Sequence, residues 1–366
     1  LIYMHWMNTM FGYCGPYKYQ TPYCEHLRDY LAANLAWMQE QMELYQDQDY
    51  WHQLNKGRDI ILTRLKGLFQ LGGDLEDLEA ALNKSDAKRT LGSGSCSALI
   101  KLLPGNKELL VSHVTWNTYQ SMLRIIKKYT LPFRRSPNGL KVINGQCENM
   151  YNNQWMVVDY NKFKPGETDV PSGLLTVLEQ LPGLMTWADK SDLLYQSTYW
   201  PSYNVPYFGD IFNASGQPDL VKKFGDWFTY SKTPRAQIFK RNHTLVEDLP
   251  SMMRLMRYNN FLNDPLSLCS SCEPKPNGEN AISARSDLNP ANGTYPFGAM
   301  HQRQHGGTDM KVTSYEFAKE YMMFAVNGPT WDQVPPFQWS TSPFSNLMHM
   351  GHPDLWKFDP ILIRWK

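Results

Sequence analysis

One junction constrains what this chain can fold into more than any other feature. A run rich in glycine and serine, 91–95, ends at Cys96, and the apolar segment 96–103 predicts a β-strand. A cut between Ser95 and Cys96 would leave one residue with both a thiol nucleophile and a free α-amine, whose reference pKa of about 7.7–8.0 suits a base near neutral pH. The alternative is a structural cysteine packed at the start of a core strand.

The composition excludes several classes of function. The 366 residues carry 36 basic and 35 acidic side chains, a formal net charge of +1, so neither nucleic acid nor an anionic surface is expected as the main partner. No apolar stretch reaches the roughly 18–20 residues that cross a bilayer, so we predict no transmembrane segment. Because the sequence begins at Leu1 and not at a methionine, we expect an upstream segment that carries a signal peptide.

Cysteines and glycosylation signals favour the secretory or lysosomal route. Four of the six cysteines form two close pairs, Cys14 with Cys24 and Cys269 with Cys272. Short loops join each pair, so we predict two local disulfides, which leaves Cys96 and Cys147 over. The sequence also contains four Asn-X-Ser/Thr acceptors in polar settings typical of surface loops: Asn83, Asn213, Asn242 and Asn292.

The apolar periodicity separates a helical N-terminal part from a part that contains strands. Between Glu25 and Tyr45 the apolar residues fall on one helix face, and weaker helical patterns follow through 61–68 and 74–82. The segment 96–103 and a second apolar run at 109–111 predict a hairpin, with His113 and Trp116 just beyond it. The flexible run before Cys96 is the one candidate boundary.

The apolar pattern after the first hairpin is weaker. It predicts a helix over 119–126, a loop over 132–150, and a hairpin of two strands over 154–160 and 174–181. The C-terminal third is rich in proline and aromatic residues, so we expect it to wrap around the core as a long irregular segment.

Other chemical motifs are weak. Cys269 and Cys272 have the spacing of a metal or redox site, but His301 and His305 follow too far downstream for a zinc finger, so a loop disulfide is favoured. His349 and His352 are expected in packing or at the surface. The sequence contains neither a Gly-x-Ser-x-Gly elbow nor a phosphate-binding glycine loop, so we predict no metal and no cofactor.

Several long motifs resemble one known family. The matching segments are 92–101, 112–116, 151–155, 199–206, 234–239, 256–259, 281–290 and 331–356. Together they are similar to the phospholipase B-like proteins of the lysosome over nearly the whole chain. The resemblance implies an α+β fold, the N-terminal nucleophile hydrolase αββα sandwich of two stacked antiparallel sheets flanked by helices. It also implies internal cleavage that separates a helical part, 1–95, from a nucleophile-bearing part, 96–366, of one compact domain.

The resemblance also implies a set of site residues. Cys96 matches the nucleophile exposed by the cut, and His113 and Trp116 match residues on the adjacent strand and turn. Asn204 matches the side chain that donates to the oxyanion, and Arg235 matches the arginine of the site. Without the resemblance, a packing or surface role is the simpler interpretation of the last four residues.

The chain departs from the family pattern in two places. Between Tyr129 and Tyr151 the family carries several dozen more residues, which include strands and a threonine near the site. A smaller shortening falls between Trp51 and Gly73. Loss of sheet strands would uncover paired edges, so we expect an incomplete sandwich.

The function that the resemblance implies is hydrolysis of acyl ester bonds of phospholipids in the lysosome lumen, by Cys96 and without a cofactor. Two alternatives stay open: an amidase that acts on N-acyl compounds, and a lipid-binding glycoprotein without catalytic activity. The expected partners are a lipid or N-acyl substrate and, through the glycans, the mannose-6-phosphate receptor.

Overall fold

The computed structural model of the protein describes one N-terminal helix and most of the chain after residue 90. The described residues are 22–48, 51, 81–82, 90–92, 94, 96–124, 147–150, 154–181 and 183–365. They belong to two compact units. The first contains residues 1–89, 124–143 and 348–350, and the second contains 90–123, 144–347 and 351–366.

In the first unit, the helix predicted between Glu25 and Tyr45 is confirmed as α1, Pro22–Leu44. It begins at a proline, whose fixed φ suits the first turn of a helix. Cys24 on this helix is disulfide-bonded. Its predicted partner Cys14 lies outside the described residues, as do the predicted helix over 61–68 and most of that over 74–82.

The second unit contains the strands and further helices. The strands are β1 (Cys96–Leu102), β2 (Leu109–Thr118), β3 (Cys147–Met150), β4 (Gln154–Val158), β5 (Leu175–Leu181), β6 (Leu184–Asp189), β7 (Tyr199–Ser202), β8 (His305–Gly307), β9 (Asp309–Ser314), β10 (Met322–Asn327), β11 (Phe337–Gln338), β12 (Leu355–Trp356) and β13 (Ile361–Arg364). The helices are α2 (Ser191–Ser197), α3 (Gly209–Ala214), α4 (Gln217–Phe224), α5 (Pro234–Asn242), α6 (Leu249–Met256) and α7 (Tyr315–Lys319).

The larger sheet is antiparallel and has the strand order β13-β10-β9-β2-β1-β7, with β8 also paired to β2. The predicted hairpin of β1 and β2 is confirmed, and its register pairs Cys96 with Thr115. On its other side β1 pairs with β7, where Ala98 faces Ser202. All seven residues of β1 are buried, because strands lie along both of its edges and apolar clusters cover both of its faces.

The smaller sheet has the order β3-β4-β5-β6, and the predicted hairpin of β4 and β5 is confirmed. The two sheets share one apolar cluster. It joins Ile100 and Val111 of the larger sheet to Met156 and Val177 of the smaller one. The second unit therefore contains two stacked antiparallel sheets, and the α+β class is confirmed.

Helices cover the opposite face of the larger sheet. Leu99 and Val312 on that face pack with Ile238 of α5 and Met252 of α6. The apolar side chains of β1 and β2 thus contribute to two cores, one on each face of the sheet. The described layers are helix, sheet and sheet. Among the described residues, no helix is both long enough and apolar enough to span a membrane.

The helix predicted over 119–126 is wrong where the structure describes it. Residues 119–121 form a single 3₁₀ turn, and Met122 is already extended. The reason is tertiary: Tyr119 is fully buried, and its hydroxyl donates to the carboxylate of Asp287 at 2.6 Å. This anchor directs the chain inward at a point where the local periodicity favours a helix.

Two further predictions are corrected. The loop predicted over 132–150 is wrong for 147–150, which form β3; residues 132–146 lie outside the described part. The C-terminal third is only partly irregular, because β9, β10 and β13 all join the larger sheet. These strands are short, and sheet neighbours from distant parts of the sequence fix them.

A buried ion pair fixes the C-terminal segment. Arg285, 1% exposed, donates from Nε and Nη2 to Asp287 at 2.8 Å. Its Nη1 donates to the carbonyls of Thr330 and Pro335, each at 2.7 Å. One guanidinium therefore connects the end of β2, through Tyr119 and Asp287, to the chain that precedes β11.

Replacement of Arg285 by methionine (Arg285→Met) is expected to lower the free energy of unfolding by about 3–5 kcal/mol, because the carboxylate of Asp287 stays buried without its cation. Urea unfolding followed by tryptophan fluorescence measures this. The exposed Arg254→Met on α6 is the matched control, with an expected change within about 0.5 kcal/mol. Equal stability of the two variants would contradict a structural role for the ion pair.

Candidate active site

Cys96 is a reduced cysteine, 6% exposed, and it is the first residue of β1. Its backbone N–H donates to Oδ1 of Asn204 at 3.1 Å. Its carbonyl accepts from Nη1 of Arg235 at 2.6 Å. Both backbone polar groups of the residue are therefore held by side chains that lie far away in the sequence.

The neighbouring strand shows where the thiol lies. The N–H of Thr115 donates to Asp309 at 2.8 Å, and its carbonyl accepts from Thr308 at 2.7 Å, so both groups point away from β1. Cys96 and Thr115 thus form a non-hydrogen-bonded pair, in which opposing side chains approach most closely. Cys96 belongs to the cluster between the two sheets, and its side chain lies on that face.

Asn204 lies beside Cys96 because β7 pairs with β1. Ser202 pairs with Ala98, and the two strands are antiparallel. Asn204, two residues after Ser202, therefore lies level with Cys96, two residues before Ala98. Asn204 has a φ of 67°, a left-handed conformation that asparagine adopts more readily than most residues. Its Oδ1 accepts from both Cys96 and Arg235, which leaves the Nδ2 group of the same amide to point elsewhere.

A buried carboxylate holds the loop that carries Asn204. Glu179 on β5 accepts from the backbone N–H groups of Tyr207 at 2.8 Å and Phe208 at 3.0 Å. Gln154 donates to the same carboxylate and accepts from Ser202. Burial raises the pKa of Glu179. The smaller sheet therefore holds the loop that follows β7 through the carboxylate of Glu179.

Arg235 connects the parts of this site. It stands in the first turn of α5, where the hydroxyl of Thr233 accepts from the backbone of Ala236 at 3.1 Å and caps the helix. Besides Cys96, its Nη1 contacts Ser97 Oγ at 3.3 Å and Asn204 Oδ1 at 3.0 Å. Burial lowers the pKa of Arg235 to about 10, so the side chain stays cationic at neutral pH.

Trp116 lies under Arg235, with the guanidinium carbon 4.1 Å from its ring centroid. Its indole N–H donates to the carbonyl of Ile282 at 3.2 Å, and the ring of His305 meets it edge-on, with centroids 6.5 Å apart. Trp116 follows Thr115 in β2, and successive side chains of a strand point to opposite faces of the sheet. Trp116 therefore lies on the helix-covered face, whereas Thr115 and the Cys96 side chain lie on the other face.

Gly94 is a site residue that the sequence analysis did not single out. It is buried, and a Cβ there would lie 2.7 Å from Nη2 of Arg235 and 3.0 Å from two carbons of the Trp116 ring. Any other side chain would collide with both groups. The sequence signal for this close approach is the glycine content of the run 91–95. Ser95, the predicted residue before the cut, lies outside the described residues.

His113 lies on the same face of the sheet as Cys96, since it pairs with Ala98, two positions along β1. It is 7% exposed. Burial, with a smaller contribution from the charge of Lys311, lowers the pKa of His113 to about 3, although Asp309 acts in the opposite sense. The imidazole is therefore neutral over the working range of proteins.

A polar cluster beside His113 was missed in the sequence. Lys311 donates to Asp309 at 2.8 Å and to the hydroxyl of Thr115 at 3.1 Å, and that hydroxyl donates to Asp309 at 3.1 Å. Asp309 and Lys311 belong to β9, within the C-terminal third for which the sequence predicts an irregular segment. The alternation of polar 309 and 311 with apolar 310 and 312 was the signal that could have revealed the strand.

The other predicted positions lie apart from this site. The disulfide between Cys269 and Cys272 is confirmed, with 5.3 Å between the Cα atoms. Among the sequons, Asn213 and Asn292 are exposed, and Asn83 lies outside the described residues. The prediction of a surface loop is wrong for Asn242, which ends α5 and is 9% exposed, and its Oδ1 accepts from Nε of Arg241 at 2.8 Å.

No group of three or more His, Cys, Asp or Glu side chains in the described residues is arranged to hold a metal ion. The two histidines of the H-x₃-H pattern serve packing at different places. His301 lies against Tyr295, with ring centroids 5.0 Å apart, and His305 lies against Trp116. The chemistry that this site offers is therefore that of a thiol, a backbone nitrogen, an amide and a guanidinium.

Comparison with known sequences identifies a family. The profile of the phospholipase B family matches residues 67–144 and 140–363. The two matches meet at 140–144, within the interval 129–151 where the sequence predicts a deletion. This position supports the predicted loss of an internal segment.

Curated relatives match the full length of the chain. "Putative phospholipase B-like 2" of Homo sapiens is 49% identical over 464 residues, which covers 100% of this chain and 78% of the relative. "Putative phospholipase B-like 1" of Caenorhabditis elegans is 35% identical over 458 residues, which covers 100% of this chain and 80% of that protein. Both alignments are longer than the 366-residue chain, so the relatives carry internal residues that it lacks. The agreement of the family profile with these relatives shows that the chain belongs to the phospholipase B family.

Proposed function

We propose that the protein is an N-terminal nucleophile hydrolase that cleaves acyl ester bonds, with Cys96 as the nucleophile after the chain is cut before it. The observation that carries the proposal is the way Asn204 and Arg235 hold the two backbone polar groups of Cys96. The backbone groups of an ordinary strand residue form hydrogen bonds with the neighbouring strand. The N–H and carbonyl of Cys96 instead bind the side chains of Asn204 and Arg235, which can orient an amine and stabilise negative charge. The names of the relatives support phospholipids as the substrate class.

The first step of the proposed mechanism is the cut itself. The Cys96 thiol attacks the carbonyl carbon of Ser95, the S–C bond forms, and the C–N bond to Cys96 breaks as the departing nitrogen takes a proton. Water then hydrolyses the thioester, which releases the Ser95 carboxyl group and restores the thiol. The nitrogen that Asn204 holds has now become an α-amine.

Turnover repeats this chemistry on the substrate. The α-amine takes the thiol proton, the thiolate attacks the acyl carbonyl, and the leaving alcohol receives the proton. Water, deprotonated by the same amine, then attacks the thioester and breaks the C–S bond. The products are a carboxylic acid and an alcohol, and the thiol is regenerated.

Asn204 and Arg235 have separate parts in this mechanism. Oδ1 of Asn204 orients the amine, so Nδ2 is the donor that stabilises the oxyanion in each tetrahedral step. The guanidinium of Arg235 lies close to the same nitrogen, and a nearby cation disfavours the ammonium form. The amine therefore keeps its capacity as a base in acidic surroundings.

The proposed location is the lysosome lumen, reached by the secretory route. The disulfide between Cys269 and Cys272 supports an oxidising compartment, and the exposed Asn213 and Asn292 can accept glycans. Glycans at these positions would supply the contact with the mannose-6-phosphate receptor.

Self-cleavage is the direct test of the nucleophile. The full chain at acidic pH is expected to yield a fragment that begins at Cys96, whereas Cys96→Ala is expected to stay intact because it lacks the thiol. Mass spectrometry under reducing and denaturing conditions identifies the fragment. Ser345→Ala, a change at an exposed serine outside the sequons, is the control and should cleave like the wild type. An intact wild-type chain would sink the proposal.

Asn204→Asp tests the oxyanion donor. This variant keeps an oxygen for Cys96 and Arg235 but loses the Nδ2 donor, so we expect self-cleavage to slow by about 10²–10³-fold. The cleaved fraction is followed over time by gel electrophoresis, and thermal unfolding confirms that the fold is intact. The exposed Asn263→Asp is the matched control. Cleavage of Asn204→Asp at the wild-type rate would exclude Asn204 as the donor.

The buried His113 predicts a pH dependence of stability. Its pKa is lowered to about 3 in the folded protein and is about 6.5 when unfolded, so the unfolded chain binds the proton first as pH falls. Its contribution is absent above about pH 7 and costs about 2 kcal/mol at pH 5. We expect His113→Gln to flatten this part of the profile.

Urea unfolding at pH 7, 6 and 5 measures the slope for the wild type and for His113→Gln. The exposed His26→Gln on α1 is the matched control, because that ring faces water in both states. If stability changes with pH equally in the wild type and in His113→Gln, then His113 takes up its proton as readily in the folded protein as in the unfolded chain, and the prediction is wrong.

A further inference from the structure

The chain that flanks the hairpin of β1 and β2 contains a β-bulge. The registers in which β9 and β8 pair with β2 differ by one residue. Between the two paired segments β2 has two residues, 114 and 115, whereas the chain opposite has three, 308–310. Thr308 and Asp309 therefore both lie opposite Thr115. A bulge of this kind re-aims a side chain, and bulges are frequent beside active sites.

The bulge turns the carboxylate of Asp309 toward Thr115. Its Oδ1 accepts from the backbone N–H of Thr115 at 2.8 Å, where a regular strand would offer a carbonyl. Its Oδ2 accepts from the hydroxyl of Thr115 at 3.1 Å and from the ammonium of Lys311 at 2.8 Å. We call these three residues the polar cluster. Lys311 is its more exposed charge, with 33% of the side chain accessible against 24% for Asp309.

The polar cluster lies on the face of the sheet that carries the thiol. Cys96, Thr115 and Asp309 form one row across β1, β2 and β9, and their side chains lie on the side of the smaller sheet. On this face β2 is buried from 109 to 113, but Thr115 is half-buried and Asn117 is exposed. The space between the sheets therefore opens to solvent at the level of the thiol, and a substrate that enters there passes the polar cluster.

We propose that Lys311 determines which alcohols the enzyme accepts as leaving groups, because its ammonium binds a phosphate group that the alcohol carries. This inference rests on the proposed function and names the part of the substrate that the site recognises. Lysine binds phosphate as a compact point charge, through hydrogen bonds that the charge strengthens. Asp309 and Thr115 are positioning residues, since they hold the ammonium at the level of the thiol.

The dimensions of the site agree with such a substrate. Opposed residues in a non-hydrogen-bonded pair have Cβ atoms about 4.5–5.5 Å apart, and Nζ of Lys311 lies 3.1 Å from Oγ1 of Thr115. Nζ therefore lies within roughly 10 Å of the Cβ of Cys96. In an acyl ester of glycerol 3-phosphate, the phosphorus is about five or six bonds from the carbonyl carbon, roughly 6–8 Å in an extended chain. The phosphate reaches Lys311 while the carbonyl carbon is bonded to the thiol sulfur.

The test compares two soluble esters that differ only in the phosphate, 1-hexanoylglycerol 3-phosphate and 1-hexanoylglycerol. For the cut wild-type protein we expect kcat/KM to be about tenfold or more higher for the first ester, the effect of one charge-assisted hydrogen bond. Release of hexanoate, measured by chromatography, gives both values. Lys311→Met should lower this ratio to about one, whereas Lys311→Arg should keep it within about threefold of the wild type.

The matched control is Lys319→Met on α7, where the lysine is exposed and pairs with Glu316. Its ratio of the two kcat/KM values should equal that of the wild type. A merely structural role of Lys311 would lower kcat/KM for both esters alike and leave the ratio unchanged, so the ratio separates recognition from stability. Thermal unfolding shows that each variant is folded.

A second measurement needs no protein variant, so it decides even if Lys311→Met does not fold. Glycerol 3-phosphate and inorganic phosphate are compared as inhibitors of 1-hexanoylglycerol hydrolysis by the wild type. Glycerol 3-phosphate is expected to inhibit about tenfold or more strongly, because it occupies the position of the leaving alcohol as well as that of the phosphate. Equal inhibition would indicate a site for free anions and would overturn the assignment to the leaving alcohol.

The outcomes separate this inference from the proposed function. If both esters are hydrolysed at equal rates by the wild type, or if Lys311→Met keeps the preference for the phosphate ester, the role of Lys311 is wrong and the proposed function stands. If the chain is not cut before Cys96, or if neither ester is hydrolysed, the proposed function is wrong and this inference fails with it.

Discussion

The guanidinium of Arg235 is the contact on which the candidate active site depends. It binds the Cys96 carbonyl and the Asn204 amide, and it lies over the ring of Trp116. Because the group is buried, its charge depends on these partners, on the hydroxyl of Ser97 and on the negative charge of Glu279. This one cation, in the first turn of α5, thus contacts the start of β1, the loop after β7 and Trp116 of β2.

The two sheets supply the rigidity that such a site requires. β1 lies inside the larger sheet, between β2 and β7, so neither of its edges is open and the start of the strand does not fray as an edge strand would. The carboxylate of Glu179 in the smaller sheet holds the loop that carries Asn204. The neighbours of the thiol are held by hydrogen bonds to both sheets, which is what preorganised oxyanion stabilisation requires.

Prediction from the sequence succeeded where the signal was local. Alternating and continuous apolar runs located β1, β2, β4 and β5, and one periodic face located α1. It failed where distant contacts decided the outcome. Tyr119 forms a turn because its hydroxyl donates to Asp287, and the short alternating run 309–312 is a strand because β2 and β10 pair with it. Similarly, Asn242 has a glycosylation motif but is buried at the end of α5, where its side chain accepts from Arg241.

The sequence by itself determined that Cys96 follows a glycine-rich run and opens a buried strand, because those properties depend on residues adjacent in the chain. The family resemblance added Asn204 and Arg235 to the candidates without giving a geometry. Only the tertiary structure decided that these two side chains take over the backbone of Cys96, and that Gly94 has no room for a side chain. The physical reason is that antiparallel register and close packing bring together residues more than one hundred positions apart, and neither leaves a trace in local sequence.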